Sequence, residues 1–158
     1  MNRSDIDNLR REVAGLIIVR ASGYSNDNQR CYPQWELSNL QLQNLLRKGI
    51  GGIILLGGST IDIKHRCNIL QKWANRPLLL CADVEEGFGQ RFEGATWLMP
   101  PLTLGRLYAK SPEKAINLAE RYGSCTGDQA RRCGINWVLA PVCDVNNNSA
   151  NPVINLRA

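Results

Sequence analysis

The segment Pro77-Leu78-Leu79-Leu80-Cys81-Ala82 is an apolar run with no alternation between apolar and polar residues. Residues 14–19, 52–56 and 137–142 form three further runs of the same kind. Such runs are typical of parallel strands that are buried on both faces beneath helices. We therefore expect an α/β fold with four parallel strands, each buried on both faces.

Helical patterns lie between these runs. Leucines at positions 42, 45 and 46 share one face of a first helix, which Arg47-Lys48-Gly49 ends with basic residues and a glycine cap. Apolar residues at 63, 67, 70 and 74 form the stripe of a second helix. The resulting order places each helix between two strands, with right-handed crossovers expected.

A third helix is predicted to begin at Ser111-Pro112-Glu113. Serine suits the N-cap, proline the first helical position and glutamate the positive end of the helix dipole. We expect this helix to stop at Cys133-Gly134, and residues 87–101 to form a long surface loop. No fourth helix follows the fourth strand, so the pattern stops in the middle of a repeat.

The length and composition indicate one globular domain over residues 1–158. The chain is 44% hydrophobic and 21% charged, which excludes a disordered protein. Its net charge of +5 arises from scattered arginines without a nucleic-acid-binding motif, so we expect no nucleic-acid partner. Nucleic-acid binding, supported by charge alone, would predict an affinity that falls steeply with salt.

The six cysteines include no C-x-x-C pair, and the chain has a single histidine, so we expect neither a metal nor another cofactor. Cys81 and Cys143 lie in apolar runs, which indicates buried free thiols in a reducing compartment. Residues 1–5 lead into no signal core, and no apolar stretch approaches about 20 residues. We therefore expect a cytoplasmic protein without a membrane span.

Polar residues follow the third and fourth runs. Asp83 and Arg91 come after the third, and Asp144 and then Arg157 come after the fourth. Because ligands bind at the carboxyl ends of parallel strands, these side chains are candidates for one site. A carboxylate with forked guanidinium groups suits a polyhydroxylated ligand. The alternative is that Asp83 and Asp144 only cap loops or pair with Arg91.

The order of the motifs resembles the N-terminal part of glycoside hydrolase family 3, particularly its bacterial β-N-acetylhexosaminidase-like branch. The resemblance covers nearly all 158 residues, and the motifs are specific as a set rather than singly. They are Leu9-Arg10-Arg11-Glu12-Val13-Ala14-Gly15-Leu16, Gly51-Gly52-Ile53-Ile54-Leu55, Asp83-x-Glu85-x-Gly87-x-x-x-Arg91-Phe92, Pro100-Pro101, Gly134-Ile135-Asn136, Ala140-Pro141-Val142-x-Asp144-Val145 and Asn151-Pro152-Val153-Ile154-x-x-Arg157.

The resemblance implies a retaining glycosidase built on a TIM-type (β/α)8 barrel, either a β-N-acetylhexosaminidase or a β-glucosidase. Since a complete barrel needs about 250 residues, the chain is expected to form about half of one, with four parallel strands and three intervening helices. By motif, Asp83 would accept hydrogen bonds from sugar hydroxyls, and Arg91 and Arg157 would line the same subsite. Asp144 is expected to be structural, holding the loop after the fourth strand.

The resemblance also implies that the nucleophile and the acid/base lie beyond residue 158, so no catalytic residue is expected within the chain. A fragment of this kind would bind a sugar weakly at best. The alternative is a non-catalytic module that completes a barrel with itself or with a second half-barrel chain. The first and fourth strands of such a half barrel would be unpaired edges, and its helix-facing apolar surface would lose its covering.

The chain departs from the family pattern in the turn after the third apolar run. The family usually has Glu-Gly-Gly where this chain has Glu85-Glu86-Gly87, which changes backbone freedom but not loop length. Among the tryptophans, Trp97 is the candidate for stacking on a sugar, whereas Trp137 is expected in the core. His65 is expected on the surface, and residues 57–60 form a βα turn rather than a phosphate cradle.

Overall fold

The computed structural model describes residues 3–74 and 76–158. Its sheet has four parallel strands in chain order, which are β1 (Ile18–Ser22), β2 (Gly52–Leu56), β3 (Leu79–Asp83) and β4 (Trp137–Leu139). This confirms the predicted α/β fold. The two outer strands, β1 and β4, are the edges of the sheet, as expected for an open half of a barrel.

The described residues contain two more helices than the sequence pattern predicts. One precedes β1 and takes residues 14 and 15 from the predicted first strand, and the other is a short helix that follows the proline pair at 100–101. The helices are α1 (Arg3–Gly15), α2 (Asn39–Lys48), α3 (Thr60–Ala74), α4 (Leu102–Tyr108) and α5 (Pro112–Arg132), and 3-10 turns span Asp27–Gln29, Phe88–Gln90 and Asn155–Arg157.

The sheet has one covered face and one open face. The alternate strand residues Ala21, Ile53 and Leu80 are buried beneath the helices. On the opposite face, Leu79 is 45% exposed and Trp137 is 41% exposed. The prediction that each strand is buried on both faces is therefore wrong, and so is the expectation that Trp137 lies in the core. The helix-facing surface keeps its covering, whereas the inner face of the partial barrel is covered only in part: Cys81 is buried there, but Leu79 and Trp137 are exposed.

The segment from residue 87 to 101 is more than a surface loop. Phe88 and Phe92 are fully buried, with their ring centroids 4.5 Å apart. Burying two aromatic side chains contributes several kcal/mol of hydrophobic free energy, about 1.5–3 kcal/mol each. This anchors the segment against the core, next to the carboxyl end of β3.

The cysteines are divided between the core and the surface. Cys67, Cys81 and Cys133 are buried, and burial raises the pKa of Cys67 to about 12 and that of Cys81 to about 11. Cys31 and Cys143 are exposed, so the expectation that Cys143 is buried is wrong. The residues after β4 leave the sheet after only three strand residues, which is why the apolar run around Cys143 is not covered.

His65 lies on an exposed position of α3, as predicted. Within the described residues, none of the helices combines the length and the hydropathy that crossing a bilayer requires.

Candidate functional site

A cleft of about 700 Å³ opens where β2 and β3 end. Strand ends, the segment between β1 and α2, and the turn after β3 all contribute to its wall. The lining residues are Arg20, Cys31, Tyr32, Gln34, Trp35, Glu36, Leu56, Gly57, Asp83, Gln90 and Arg91. The cleft thus lies at the edge of the sheet where parallel α/β folds bind their ligands.

Asp83, the last residue of β3, is half-buried in this cleft. Arg91 lines the same cleft, and its Nε donates to the backbone carbonyl of Asp83 at 3.0 Å. In the part of the chain that the structure describes, no residue donates a hydrogen bond to the Asp83 carboxylate and no ion pair joins it to Arg91. The carboxylate therefore retains its capacity to accept hydrogen bonds from a ligand.

The turn after β3 depends on Gly87. Its φ is +85°, and a Cβ there would lie 2.9 Å from both Leu98 Cγ and the Thr96 carbonyl oxygen. Glycine is the residue that tolerates both the positive φ and the close approach. The turn brings Phe88–Gln90 and then Arg91 back over the end of β3. The spacing of eight residues between Asp83 and Arg91 therefore places both in one cleft.

Trp97 lies outside the residues that line this cleft. Its indole Nε1 donates to Glu86 Oε2 at 2.8 Å, and Leu98 N donates to the Glu86 carbonyl at 2.7 Å. Glu86, the second glutamate of the Glu85-Glu86-Gly87 sequence, thus ties the turn to the irregular segment that contains Trp97 and Leu98. Trp35, which the sequence did not single out, is the tryptophan that lines the cleft.

Arg157 is held by Glu85 rather than by the cleft wall. Its Nε and Nη2 donate to the two carboxylate oxygens of Glu85 at 2.7 and 2.6 Å, in a bidentate ion pair. The hydrogen bonds from Arg157 hold the pKa of Glu85 below its usual value, and those to Glu85 raise the pKa of Arg157. The nearby charges of Asp144 and Asp83 raise the pKa of Arg157 further, so its guanidinium lies in the field of both carboxylates.

Asp144 is exposed and lines a separate hollow of about 210 Å³. The loop around this hollow is held by asparagines, including Asn146, whose Nδ2 donates to the Asn155 carbonyl at 2.9 Å. No hydrogen bond or ion pair of the Asp144 carboxylate occurs among the described residues. The structural role expected of Asp144 therefore remains a prediction.

Sequence reasoning missed the part of the cleft formed by Arg20, Tyr32, Trp35 and Glu36. These residues come from β1 and from the irregular segment before α2, where no periodicity indicates which side chains share a face. The signal available was chemical and partial: two aromatic rings and a carboxylate lie within residues 32–36, but Arg20 lies 12 residues before them. Among the described residues, no group of three or more histidines, cysteines and carboxylates could hold a metal ion.

Comparisons with known proteins agree with this geometry. The pattern described as "Glycosyl hydrolase family 3 N terminal domain" matches residues 8–158. A beta-hexosaminidase of Stenotrophomonas maltophilia is 40% identical over 114 residues, which are 70% of this chain and 34% of that protein. The beta-hexosaminidase of Xanthomonas oryzae is 32% identical over 114 residues, with the same shares. The "Beta-N-acetylglucosaminidase/beta-glucosidase" of Cellulomonas fimi is 32% identical over 108 residues, covering 68% of this chain and 18% of that protein.

Two solved structures have the same fold. NagZ from Neisseria gonorrhoeae, in complex with N-trifluoroacetyl-D-glucosamine, superposes with a TM-score of 0.70 at 26% identity over 89% of this chain and 40% of that chain. The beta-glucoside phosphorylase BglX bound to 2FGlc superposes with a TM-score of 0.70 at 18% identity, over 99% of this chain and 27% of that chain, and this likeness concerns the fold alone.

The chain spans about a third of the length of the beta-hexosaminidases it matches. Its four strands and their helices therefore correspond to part of a TIM-type barrel, as the sequence predicted. Since the match extends over nearly the whole sequence, the chain belongs to glycosyl hydrolase family 3 and carries residues of its N-terminal domain.

Proposed function

We propose that this chain supplies the sugar-binding side of a retaining glycosidase of the β-N-acetylhexosaminidase type. The observation that carries the proposal is the Asp83 carboxylate, which lies in the cleft of about 700 Å³ at the carboxyl end of β3 without a donor from the described protein. The curated relatives named beta-hexosaminidase support N-acetylhexosaminides as the substrate class, and the Cellulomonas fimi relative supports β-glucosides as the alternative.

In this proposal, the Asp83 carboxylate accepts hydrogen bonds from two sugar hydroxyls. Arg91 uses its Nε on the Asp83 carbonyl, so its terminal nitrogens are left to donate to sugar oxygens. Arg157 is not among the residues that line the cleft, and Glu85 holds its guanidinium; in this proposal it adds to the subsite through its positive charge near the Asp83 carboxylate. Hydrolysis with retention requires a nucleophilic carboxylate and an acid/base, and we assign neither role to these three residues.

We further propose that residues 1–158 are one incomplete barrel domain of a cytoplasmic protein of carbohydrate metabolism or cell-wall recycling. The described cysteines form no disulfide, and three of them are buried thiols. This supports a reducing compartment, where such thiols persist.

The test is sugar binding by the chain with and without the Asp83 carboxylate. We expect N-acetylglucosamine to bind, measured by saturation-transfer NMR or calorimetry, and Asp83→Asn to weaken binding by about tenfold or more because a charged acceptor is lost. Asp128→Asn, in an exposed pair with Arg131 on α5, is the matched control and leaves the affinity unchanged. Equal affinity of Asp83→Asn and the original chain would refute the proposed site.

The second candidate is a non-catalytic module that completes a barrel with a partner. It is favoured by a different observation, the open inner face of the sheet and the two unpaired edge strands. The partner would be a second copy or a separate half-barrel chain. The mass of the chain in solution distinguishes this candidate from a monomeric sugar-binding fragment.

A further inference from the structure

An irregular segment forms one wall of the cleft. It comprises residues 23–38, which link β1 to α2, and we call it the cleft segment. The 3-10 turn Asp27–Gln29 is the regular element that the structure describes within it. The residues of this segment that line the cleft are Cys31, Tyr32, Gln34, Trp35 and Glu36. Since neither a strand nor an α-helix fixes the cleft segment, its shape depends on how its ends and its turns are held.

One buried arginine joins the two ends of the cleft segment. Arg66 lies on α3 and is 1% exposed. Its Nε donates to the carbonyl oxygen of Ser22, the residue before the segment, at 3.2 Å. Its Nη1 donates to Oδ1 of Asn39, the residue after the segment, at 2.8 Å. A single guanidinium group therefore closes the cleft segment into a loop, although Arg66 is not among the residues that line the cleft.

The surroundings of Arg66 hold its side chain in place. The guanidinium carbon lies 5.7 Å from the ring centroid of Trp73, which is a cation–π distance. Burial lowers the pKa of Arg66, and the charge of Asp27 acts in the opposite direction. The guanidinium nevertheless stays charged, because arginine is too basic to lose its proton in a protein. A buried charged donor without an acceptor is costly, so the two hydrogen bonds fix the separation of the segment's ends.

Further hydrogen bonds lead from Asn39 to the wall of the cleft. Asn39 N donates to the two carboxylate oxygens of Asp27, at 3.0 and 3.1 Å. Arg30 Nε donates to the Asp27 carbonyl at 3.1 Å, and its Nη1 donates to the Glu36 carbonyl at 2.9 Å. Glu36 is buried, and its Oε2 accepts from Tyr32 N at 3.0 Å. A continuous series of contacts thus connects the cleft wall to the residue that Arg66 holds.

We propose that Arg66 is a positioning residue for the sugar-binding cleft. By joining the ends of the cleft segment, it holds the wall in its binding conformation and sets the affinity for a sugar that it does not touch. This inference rests on the proposed function, since it takes the sugar to bind in this cleft. When the ends are released, the wall has its binding conformation for only a fraction of the time, and the apparent affinity falls by that fraction.

Arg66→Met tests the connection directly, because it removes the donors and keeps an unbranched side chain in the same place. Hydrogen-bonded amides of the cleft segment, such as those of Trp35 and Glu36, should exchange at least about tenfold faster relative to the amides of β3. N-acetylglucosamine should bind at least about threefold more weakly, as measured by calorimetry.

A second variant tests the connection from its other end. Asn39→Ala removes the acceptor at a half-buried position and provides the test if Arg66→Met fails to fold. It should change exchange and affinity in the same direction. The effect of the double variant should be smaller than the product of the two single effects, because both substitutions remove the same contact.

Leu70→Ala is the matched control for a loss of stability alone. Leu70 lies about one turn further along α3 and is fully buried, so its truncation destabilises the whole chain. Exchange should then rise in β3 at least as much as in the cleft segment, and the folded chain should bind N-acetylglucosamine with unchanged affinity.

The outcomes separate the positioning role from the proposed function. If Arg66→Met speeds exchange in β3 as much as in the cleft segment, the positioning role is wrong. It is also wrong if Arg66→Met and Asn39→Ala both bind N-acetylglucosamine as tightly as the original chain. In either case the Asp83 subsite stands as long as Asp83→Asn weakens binding. If the original chain does not bind N-acetylglucosamine, the proposed function is wrong, and the positioning role is wrong with it.

Discussion

Glu85 and Arg157 are 72 residues apart in the chain, and their pairing fastens the last described turn to the end of β3. A second interaction acts on the same residue: the Tyr122 hydroxyl lies 2.9 Å from the carbonyl oxygens of both Glu85 and Met99. Burial raises the pKa of Tyr122 to about 12, so this hydroxyl keeps its proton. The loop after β3 is therefore fastened by α5 on one side and by Arg157 on the other.

The Glu85–Arg157 pair predicts a pH-dependent contribution to stability. Because the pKa of Glu85 is lowered in the folded chain, its contribution is fully present above the ordinary carboxyl pKa of about 4.3 and is lost as the pH falls through the lower folded value. Arg157→Leu should reduce the free energy of unfolding by about 1 kcal/mol at pH 7, in urea titrations, because Arg157 remains partly exposed. The difference between the two chains should shrink below about pH 4.

A matched control for this pair is Arg131→Leu, which removes an exposed ion pair with Asp128. Its effect should stay within about 0.5 kcal/mol at every pH. If Arg157→Leu lowers the free energy of unfolding by the same amount at pH 7 and pH 3, the loss comes from packing rather than from the ion pair.

At the scale of the elements, the helix starts show how local signals succeed and fail. Ser38 forms a capping box with Gln41 at the start of α2, with the serine side chain accepting from Gln41 N and Gln41 Oε1 accepting from Ser38 N. Ser111 stands at the N-cap of α5, as the sequence predicts, but its side chain makes no capping hydrogen bond. The Ser-Pro-Glu signal therefore predicted the position of the helix start without its geometry.

Ser59 caps α3 and provides an element-scale prediction. Its Oγ accepts from Asp62 N at 3.2 Å. Its Oγ and its backbone N donate to Asp62 Oδ2 at 2.6 and 2.9 Å, and these two donations lower the pKa of Asp62. Ser59→Ala should cost about 1 kcal/mol of unfolding free energy in chemical denaturation. Ser111→Ala should change it by less than about 0.5 kcal/mol, since no cap is lost. Equal losses in the two variants would contradict the assignment of Ser59 as the cap.

At the scale of the whole molecule, the sheet is covered on one face and open on the other. Central strands β2 and β3 pair on both sides, whereas β4 pairs on one side and has three residues. The residues on the open face would pack inside a complete barrel. In the chain described here they form an apolar surface of a kind that associates or aggregates.

This architecture predicts the pattern of hydrogen exchange. In a monomer confirmed by light scattering, amides of β2 and β3 should exchange at least about tenfold more slowly than those of β4, because an edge strand opens without disturbing the core. A dimeric mass with protection of β4 that rises with protein concentration would instead support the barrel-completing module. Protection of β4 equal to that of β3 in a monomer would contradict the open edge.

The sequence by itself determined the number, order and parallel direction of the strands and the placement of Asp83 and Arg91 in one cleft. These features depend on short-range causes: an unbroken apolar run favours a covered strand, and strand ends of a parallel sheet converge at one edge. Because Gly87 turns the chain between them, the eight-residue spacing brings Asp83 and Arg91 to the same cleft.

Only the tertiary structure decided which face of the sheet is covered, which residue holds Arg157, and that Arg20, Tyr32, Trp35 and Glu36 share a wall. An apolar run does not indicate which face of the strand the helices will cover. The exposure of Trp137 could therefore not be predicted from the sequence of its strand. The Arg157–Glu85 pair and this part of the cleft wall join distant or irregular segments. Their contacts depend on how loops pack against the finished sheet, and no local periodicity encodes that packing.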